Sequence, residues 1–196
     1  AGKEVVFCTG RSLDEMKDIL AEFPEMNYLC GESGALLYHV REQRIEKAVH
    51  LPAETIRQIR EAMADKDYMP QIMTGGRTMI NESQLHRIHE YSMGAFQEFY
   101  SRVVTPVKDV MEMAASGNCG IEKLNLHHRS PDDREDSLER LQALGLQIPM
   151  VYSEIASLEC SAEGVDKASG LRGLCGLMGI SMEEVVMVGD ADNDLT

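Results

Sequence analysis

Apolar and polar positions fall into two textures along this chain. The first begins with Val5–Val6–Phe7–Cys8, a run that predicts a short buried strand. Ser12 and Glu15 then form a capping box, and Leu13, Met16, Ile19, Leu20 and Phe23 place one apolar stripe on the helix it opens. Tyr28–Leu29–Cys30 predicts a second strand, and residues 31–34 a loop. Ala35–Val40 and Ile45–Val49 predict a hairpin across residues 41–44. Pro52 suits the first turn of a helix with Ile56, Ile59 and Met63 inside.

The texture changes from about residue 51 to residue 153. Segments 68–73 and 77–81 predict a hairpin closed near Gly75–Gly76. Residues 83–100 read as a helix, with Leu85, Ile88, Phe96 and Phe99 apolar, and Thr105–Ala115 as another. Lys123–His128 alternates, placing Leu124 and Leu126 on one face and sending His127 and His128 to opposite sides. Ser130–Pro131–Asp132–Asp133 starts a helix continued by Leu138, Leu141 and Leu144, and Met150–Tyr152 is a short strand. Leu158–Ser161 then returns to the first texture. Residues 163–167 open a helix lined by Leu171, Leu174, Cys175 and Met178 and ended by Gly179. Ser181 and Glu184 cap one more turn. The unbroken Val185–Val188 predicts a strand buried on both faces, as in parallel sheets. The order implies an α/β domain with an α+β domain inserted: residues 1–50 and 155–196 for the first, 51–154 for the second.

Three places at element ends carry candidate chemistry. Thr9–Gly10–Arg11 lies where a strand hands over to a helix, so the Thr9 hydroxyl and neighbouring N–H groups could bind an oxyanion or simply cap the helix. Lys167 begins a helix, where the macrodipole disfavours a cation; it is either a solvated surface lysine or one held by an anion or carboxylate. Gly189–Asp190–Ala191–Asp192–Asn193–Asp194 crowds three carboxylates and a carboxamide. It reads as a solvated turn or as an oxygen-rich site for Mg²⁺. Together, a strand-end threonine, a helix-start lysine and an acidic loop are what phosphoryl transfer requires.

Composition narrows the possibilities. The 196 residues carry a formal net charge of −14. Such a surface repels polyanions, so neither nucleic acid nor an anionic membrane is an expected partner. Hydrophobic residues make up 43%, enough for a packed core, with no run of membrane-span length and no signal-peptide pattern. Five scattered cysteines predict reduced, mostly buried thiols in a cytoplasmic protein.

The motifs, in their order and spacing, resemble the haloacid dehalogenase (HAD) superfamily, within it the Cof-type phosphatases with a C2B cap. Thr9–Gly10–Arg11 resembles the second motif, Gly164–Val165–Asp166–Lys167 the third, and residues 189–194 the fourth, GDxxND. Ser33–Gly34–Ala35 is similar to the family's NGA segment, with serine for asparagine. The resemblance implies a Rossmannoid parallel-sheet core with an inserted α+β cap. It further implies Mg²⁺-dependent hydrolysis of a small phosphorylated metabolite, by default a sugar phosphate. Thr9, Lys167 and Asp190 would be catalytic. Thr9, Gly10, Arg11, Lys167 and Asn193 would bind substrate, and Asp190, Asn193 and Asp194 the metal. Asp192 falls on a variable position. The family's first motif, DxDGT, holds the nucleophile one helix before the TGR strand and is not in this sequence. The chain is therefore expected to be part of a longer protein. A sugar phosphomutase of the same family and a catalytically inactive binding module are the competing expectations.

Other features read blandly. His86 and His89 have helix-face ligand spacing without a third ligand, so surface histidines are expected. Asp190, Asp192 and Asp194 mimic an EF-hand start, but its sixth position is Leu195 rather than glycine. The thirteen methionines are dispersed, as core filler is.

Overall fold

The computed structural model describes residues 2–189 and 194. A four-stranded sheet is built from β1 (Phe7–Cys8), β2 (Tyr28–Gly31), β3 (Leu36–His39) and β4 (Arg44–Ala48), in that order. Helix α1 (Leu13–Glu22) covers one face, where Met16 and Leu20 pack on Leu29. Helix α6 (Lys167–Met178) covers the other, where Leu174 packs on Cys30 and Leu37. Leu29 and Cys30 are neighbours on β2, so the period of two divides them between the two helices.

The second sheet has six strands: β5 (Met69–Thr74), β6 (Arg77–Asn81), β7 (Thr105–Val107), β8 (Lys123–His127), β9 (Met150–Ser153) and β10 (Ser157–Ser161), ordered β7-β6-β5-β8-β10-β9. One face is apolar. There Ile72, Leu124, Leu126, Leu158 and Cys160 meet residues from helices α2 (Ala53–Ala62), α4 (Val110–Ala115) and α5 (Pro131–Gln142) in one cluster. On the other face Gln71, Lys123, Asn125, His127, Ser157 and Glu159 are polar and buried, with Met69 and Met73 beside them. A buried polar face needs partners, and this one finds them in itself and in the first sheet's loops.

The two sheets meet along a hydrogen-bonded seam. At the start of α1, the Asp14 N–H donates to the Gly76 carbonyl at 2.9 Å. Gly76 lies at φ +80°, and a Cβ there would fall 2.9 Å from that of Leu13, so only glycine fits. The Thr78 hydroxyl donates to Glu15 Oε1 at 3.1 Å and touches Ser12 Oγ at 2.6 Å. The α1 capping box is thereby extended across the seam. The Lys123 ammonium, on β8, donates to the Gly10 carbonyl at 3.0 Å and pairs with Glu159 at 2.5 Å. The Ser33 hydroxyl, from the first sheet, lies 3.2 Å from Lys123 Nζ and donates to Glu159 at 2.5 Å. Glu32, beside Ser33, is fully buried, and neither carboxylate oxygen has a partner among the described residues. Burial first, then the charge of Glu122, raises its pKa to about 9.

Several expected elements take another form. Residues 83–100 are not one helix: 3-10 segments at Leu85–Tyr91 and Gly94–Phe96 precede α3 (Gln97–Val103), with Ser92 left-handed at φ 61°. Thr105–Ala115 divides into β7 and α4, because Pro106 restrains Thr105 from helical geometry. β10 belongs to the six-stranded sheet, so this sheet extends past residue 154 to Ser161. Val5 and Val6 lie outside β1. The segment 185–188 is not a strand: among the described residues none pairs with it, and Val186 and Val188 are 89% and 92% exposed. The expected parallel core is accordingly reduced to the single parallel pair β1–β2 in a mixed sheet. Cys8, Cys30, Cys119, Cys160 and Cys175 are all free thiols, with Cys8 and Cys119 only half-buried. No described helix is long and apolar enough to cross a membrane.

Two stability measurements test the seam. Glu32 keeps its proton in the folded state and loses it on unfolding at neutral pH. Its contribution is thus full below pH 4.5 and falls as pH rises toward about 9, at about 1.4 kcal/mol per unit. Glu32→Gln should flatten this fall, raising the melting temperature at pH 8 more than at pH 5; an equal change at both values would refute the assignment. Lys123→Met should cost about 3–5 kcal/mol in urea unfolding, because Glu159 is left buried and unpaired. The double replacement Lys123→Met/Glu159→Leu should cost less than the single one; if the two losses simply add, the pair is not coupled.

Candidate active site

Thr9 follows β1 directly. Its N–H donates to the Cys30 carbonyl at 2.9 Å, and its own carbonyl accepts from Ser33 N–H at 2.9 Å. The parallel ladder therefore continues one residue past the strand and sets the Thr9 hydroxyl at the strand's carboxyl end. That hydroxyl accepts the Arg11 N–H at 3.2 Å. The Arg11 guanidinium lies over the Phe99 ring of α3, 5.5 Å from its centroid.

Lys167 is the first residue of α6, behind an Asp166 N-cap that accepts the Ser169 N–H at 2.6 Å. Gly34, at φ +97°, makes this placement possible: a Cβ there would sit 2.1 Å from the Asp166 carbonyl oxygen. Lys167 is buried, and its ammonium pairs with the Asp194 carboxylate at 2.5 Å. Proximity to carboxylate offsets both the desolvation and the helix macrodipole.

A cavity of about 280 Å³ opens between the sheets. Thr9, Gly10, Arg11, Lys167 and Asp194 form one wall. The structure thus gathers five of the residues singled out from sequence. Asp190 and Asn193, the other two, lie outside the described residues. Among the described residues no three His, Cys, Asp or Glu side chains converge as metal ligands, and His86 and His89 are exposed.

The opposite wall comes from the six-stranded sheet and α3, and of its residues the sequence singled out only His127, one of two histidines sent to opposite faces of a strand. It holds Gln71, Tyr100, Lys123, Asn125, His127 and Glu159. The available signal was the period of two in residues 123–127 and 157–161, whose apolar members mark the core face and whose polar members therefore mark the other. Burial, reinforced by His128 and Lys123, pushes the His127 pKa down to about 3, so this imidazole is neutral at physiological pH. Burial likewise raises the Tyr100 and Glu15 pKa values, keeping the phenol protonated. Lys123 is charged but matched by Glu159. One wall thus carries Arg11, the Lys167–Asp194 pair and the threonine hydroxyl, while on the other the Lys123–Glu159 pair sits beside the uncharged hydrogen-bonding side chains of Gln71, Asn125, His127 and Tyr100.

Comparison with known proteins gives the family and the fold. The family model described as haloacid dehalogenase-like hydrolase matches residues 1–196. No curated protein matches the chain. Among solved structures, a haloacid dehalogenase-like hydrolase from Bacteroides thetaiotaomicron superposes with a TM-score of 0.80 at 20% identity, over 99% of this chain and 71% of its own. A haloacid dehalogenase-like hydrolase from B. subtilis gives 0.79 at 18% identity, over 98% and 73%. A sugar phosphatase of HAD subclass IIB gives 0.75 at 16% identity, over 99% and 70%. At these identities the superpositions speak for the fold, and the family model, matching end to end, speaks for descent. The chain belongs to the haloacid dehalogenase-like hydrolases.

Proposed function

We propose that the protein to which this chain belongs is a Mg²⁺-dependent phosphatase acting on a phosphate monoester of a small metabolite, a sugar phosphate in the first instance. The observation that carries this reading is the shared cavity wall of Thr9, Arg11, Lys167 and Asp194, in a chain of this hydrolase family. In a protein of net charge −14, a buried ammonium and a guanidinium beside one threonine hydroxyl are a local site for an anion. Relatives include a structure described as a sugar phosphatase, which supports the choice of ester.

The roles follow from position. Thr9 donates its hydroxyl to a phosphoryl oxygen. Lys167 neutralises charge that develops there, and Asp194 holds the ammonium in place. The donor set of residues 190–194 is made of hard oxygens, which fits Mg²⁺; Asp190 and Asn193 would hold it, with one Asp194 oxygen already committed to Lys167. When bound, the ion supplies further neutralisation of the phosphoryl oxygens. The nucleophile in this reading is the aspartate of a DxDGT segment, which lies outside these 196 residues. Residues from 51 to 161 act as the cap. They close the cavity against water and meet the leaving group.

The test is Mg²⁺-dependent release of phosphate by the full-length protein from a panel of phosphate monoesters. Activity should vanish in EDTA and return with Mg²⁺. Lys167→Ala and Asp190→Ala should each lower kcat by about 10² or more without loss of folding. Near-normal turnover in either variant would remove the site assignment. Phosphate binding without hydrolysis would favour the binding-module reading instead.

A further inference from the structure

Among the described residues, the wall facing Thr9 leaves one side-chain polar group over. Along it, the Ser157 hydroxyl meets His127 Nδ1 at 2.6 Å, and His127 Nε2 meets Gln71 Oε1 at 3.0 Å. Gln71 Oε1 also accepts the Asn125 amide N–H at 2.6 Å, while the Gln71 amide N–H donates to the Tyr100 hydroxyl at 2.8 Å. Every member is satisfied except Asn125 Oδ1, which is buried without a partner among the described residues. Asn125 is only 7% exposed and lines the cavity. A buried acceptor left unpaired is costly, and at a cavity wall it calls for a bound water or a ligand group.

The network also has a second polarity. If both amides turn over and the imidazole changes tautomer, Tyr100 donates to Gln71 Oε1. The two Gln71 N–H groups then donate to His127 Nε2 and Asn125 Oδ1, and His127 Nδ1–H donates to Ser157. Every link is kept, and the group left over becomes an Asn125 N–H instead of an oxygen. A hydroxyl satisfies either state, because it both donates and accepts. A carboxylate or phosphate satisfies only one, and an ammonium only the other. No charge appears on Gln71, Asn125, His127, Ser157 or Tyr100 in either state.

We propose that Asn125 is a specificity-determining residue of this site. It receives a neutral hydroxyl of the phosphorylated substrate's leaving group, and Gln71 and His127 behind it keep it able to accept or donate. This rests on the phosphate-ester reading above. It goes further in naming the residue and in placing at that point a hydroxyl, the group that suits both states of the network.

The experiment is calorimetric titration of the full-length protein in EDTA, where turnover does not intervene. The probes are inorganic phosphate, methyl phosphate, glycerol 3-phosphate, ribose 5-phosphate and glucose 6-phosphate. The wild type should bind the best of the three polyol esters at least tenfold more tightly than methyl phosphate. Asn125→Leu should reduce that ratio by about tenfold or more, as expected for a lost buried hydrogen bond. Asn125→Ala serves if the leucine variant does not fold. A ratio unchanged in the variant, or near unity in the wild type, overturns the Asn125 assignment while phosphate and methyl phosphate still bind. If none of the five compounds binds, the phosphate-ester reading itself fails, and this proposal with it.

Discussion

The Lys123 ammonium is the point on which the two halves of the structure are aligned. It is almost wholly removed from water, and it is matched by Glu159, the Ser33 hydroxyl and the Gly10 carbonyl. A buried ion pair of this kind adds little net stability over apolar packing, yet breaking it is expensive. Its effect is selective. Only one docking of the six-stranded sheet on the four-stranded one meets all of these contacts. That docking lays the polar face of one sheet over the strand ends of the other, and the cavity is the space left between them.

The division of labour across the cavity has an electrostatic origin. An acidic protein cannot attract an anionic ester by its overall field, so recognition of charge has to be local. Lys167 and Arg11 gather on the wall that also carries Thr9. On the facing wall Lys123 is paired with Glu159, as Lys167 is with Asp194, and burial keeps His127 uncharged. An ester entering this space would find charge complementarity at one end and hydrogen-bond complementarity at the other. In the proposed reading the two requirements act on different atoms of the ligand, so affinity for phosphate and choice of leaving group would vary separately.

Some local structure was legible because its cause is local. The capping boxes at Ser12–Glu15 and Ser181–Glu184 and the Gly179 terminus occur as expected, since each depends on residues within one turn. The hairpin across Gly75–Gly76 likewise follows from turn chemistry. The stretch 83–100 was misread because an apolar count cannot register a left-handed Ser92 or the hydrogen bonds that favour short 3-10 turns. Val185–Val188 was misread because an apolar run becomes a strand only where another strand accepts its backbone hydrogen bonds, and no described strand does.

By itself, the order of short motifs in this sequence determined the family and which residues would stand at strand ends and helix starts. Thr9, Arg11 and Lys167 sit there for reasons written within a few residues of each. The pairing of β10 with β8, the burial of Lys123 against Glu159, and the row running from Ser157 through His127 and Gln71 to Asn125 were decided only in three dimensions. The contacting partners named here lie 30 to 56 positions apart along the chain. Their polarity was visible in the alternation of two strands, but alternation says only that a face is polar. Whether water, the same sheet or a ligand satisfies that face depends on what the fold sets opposite it.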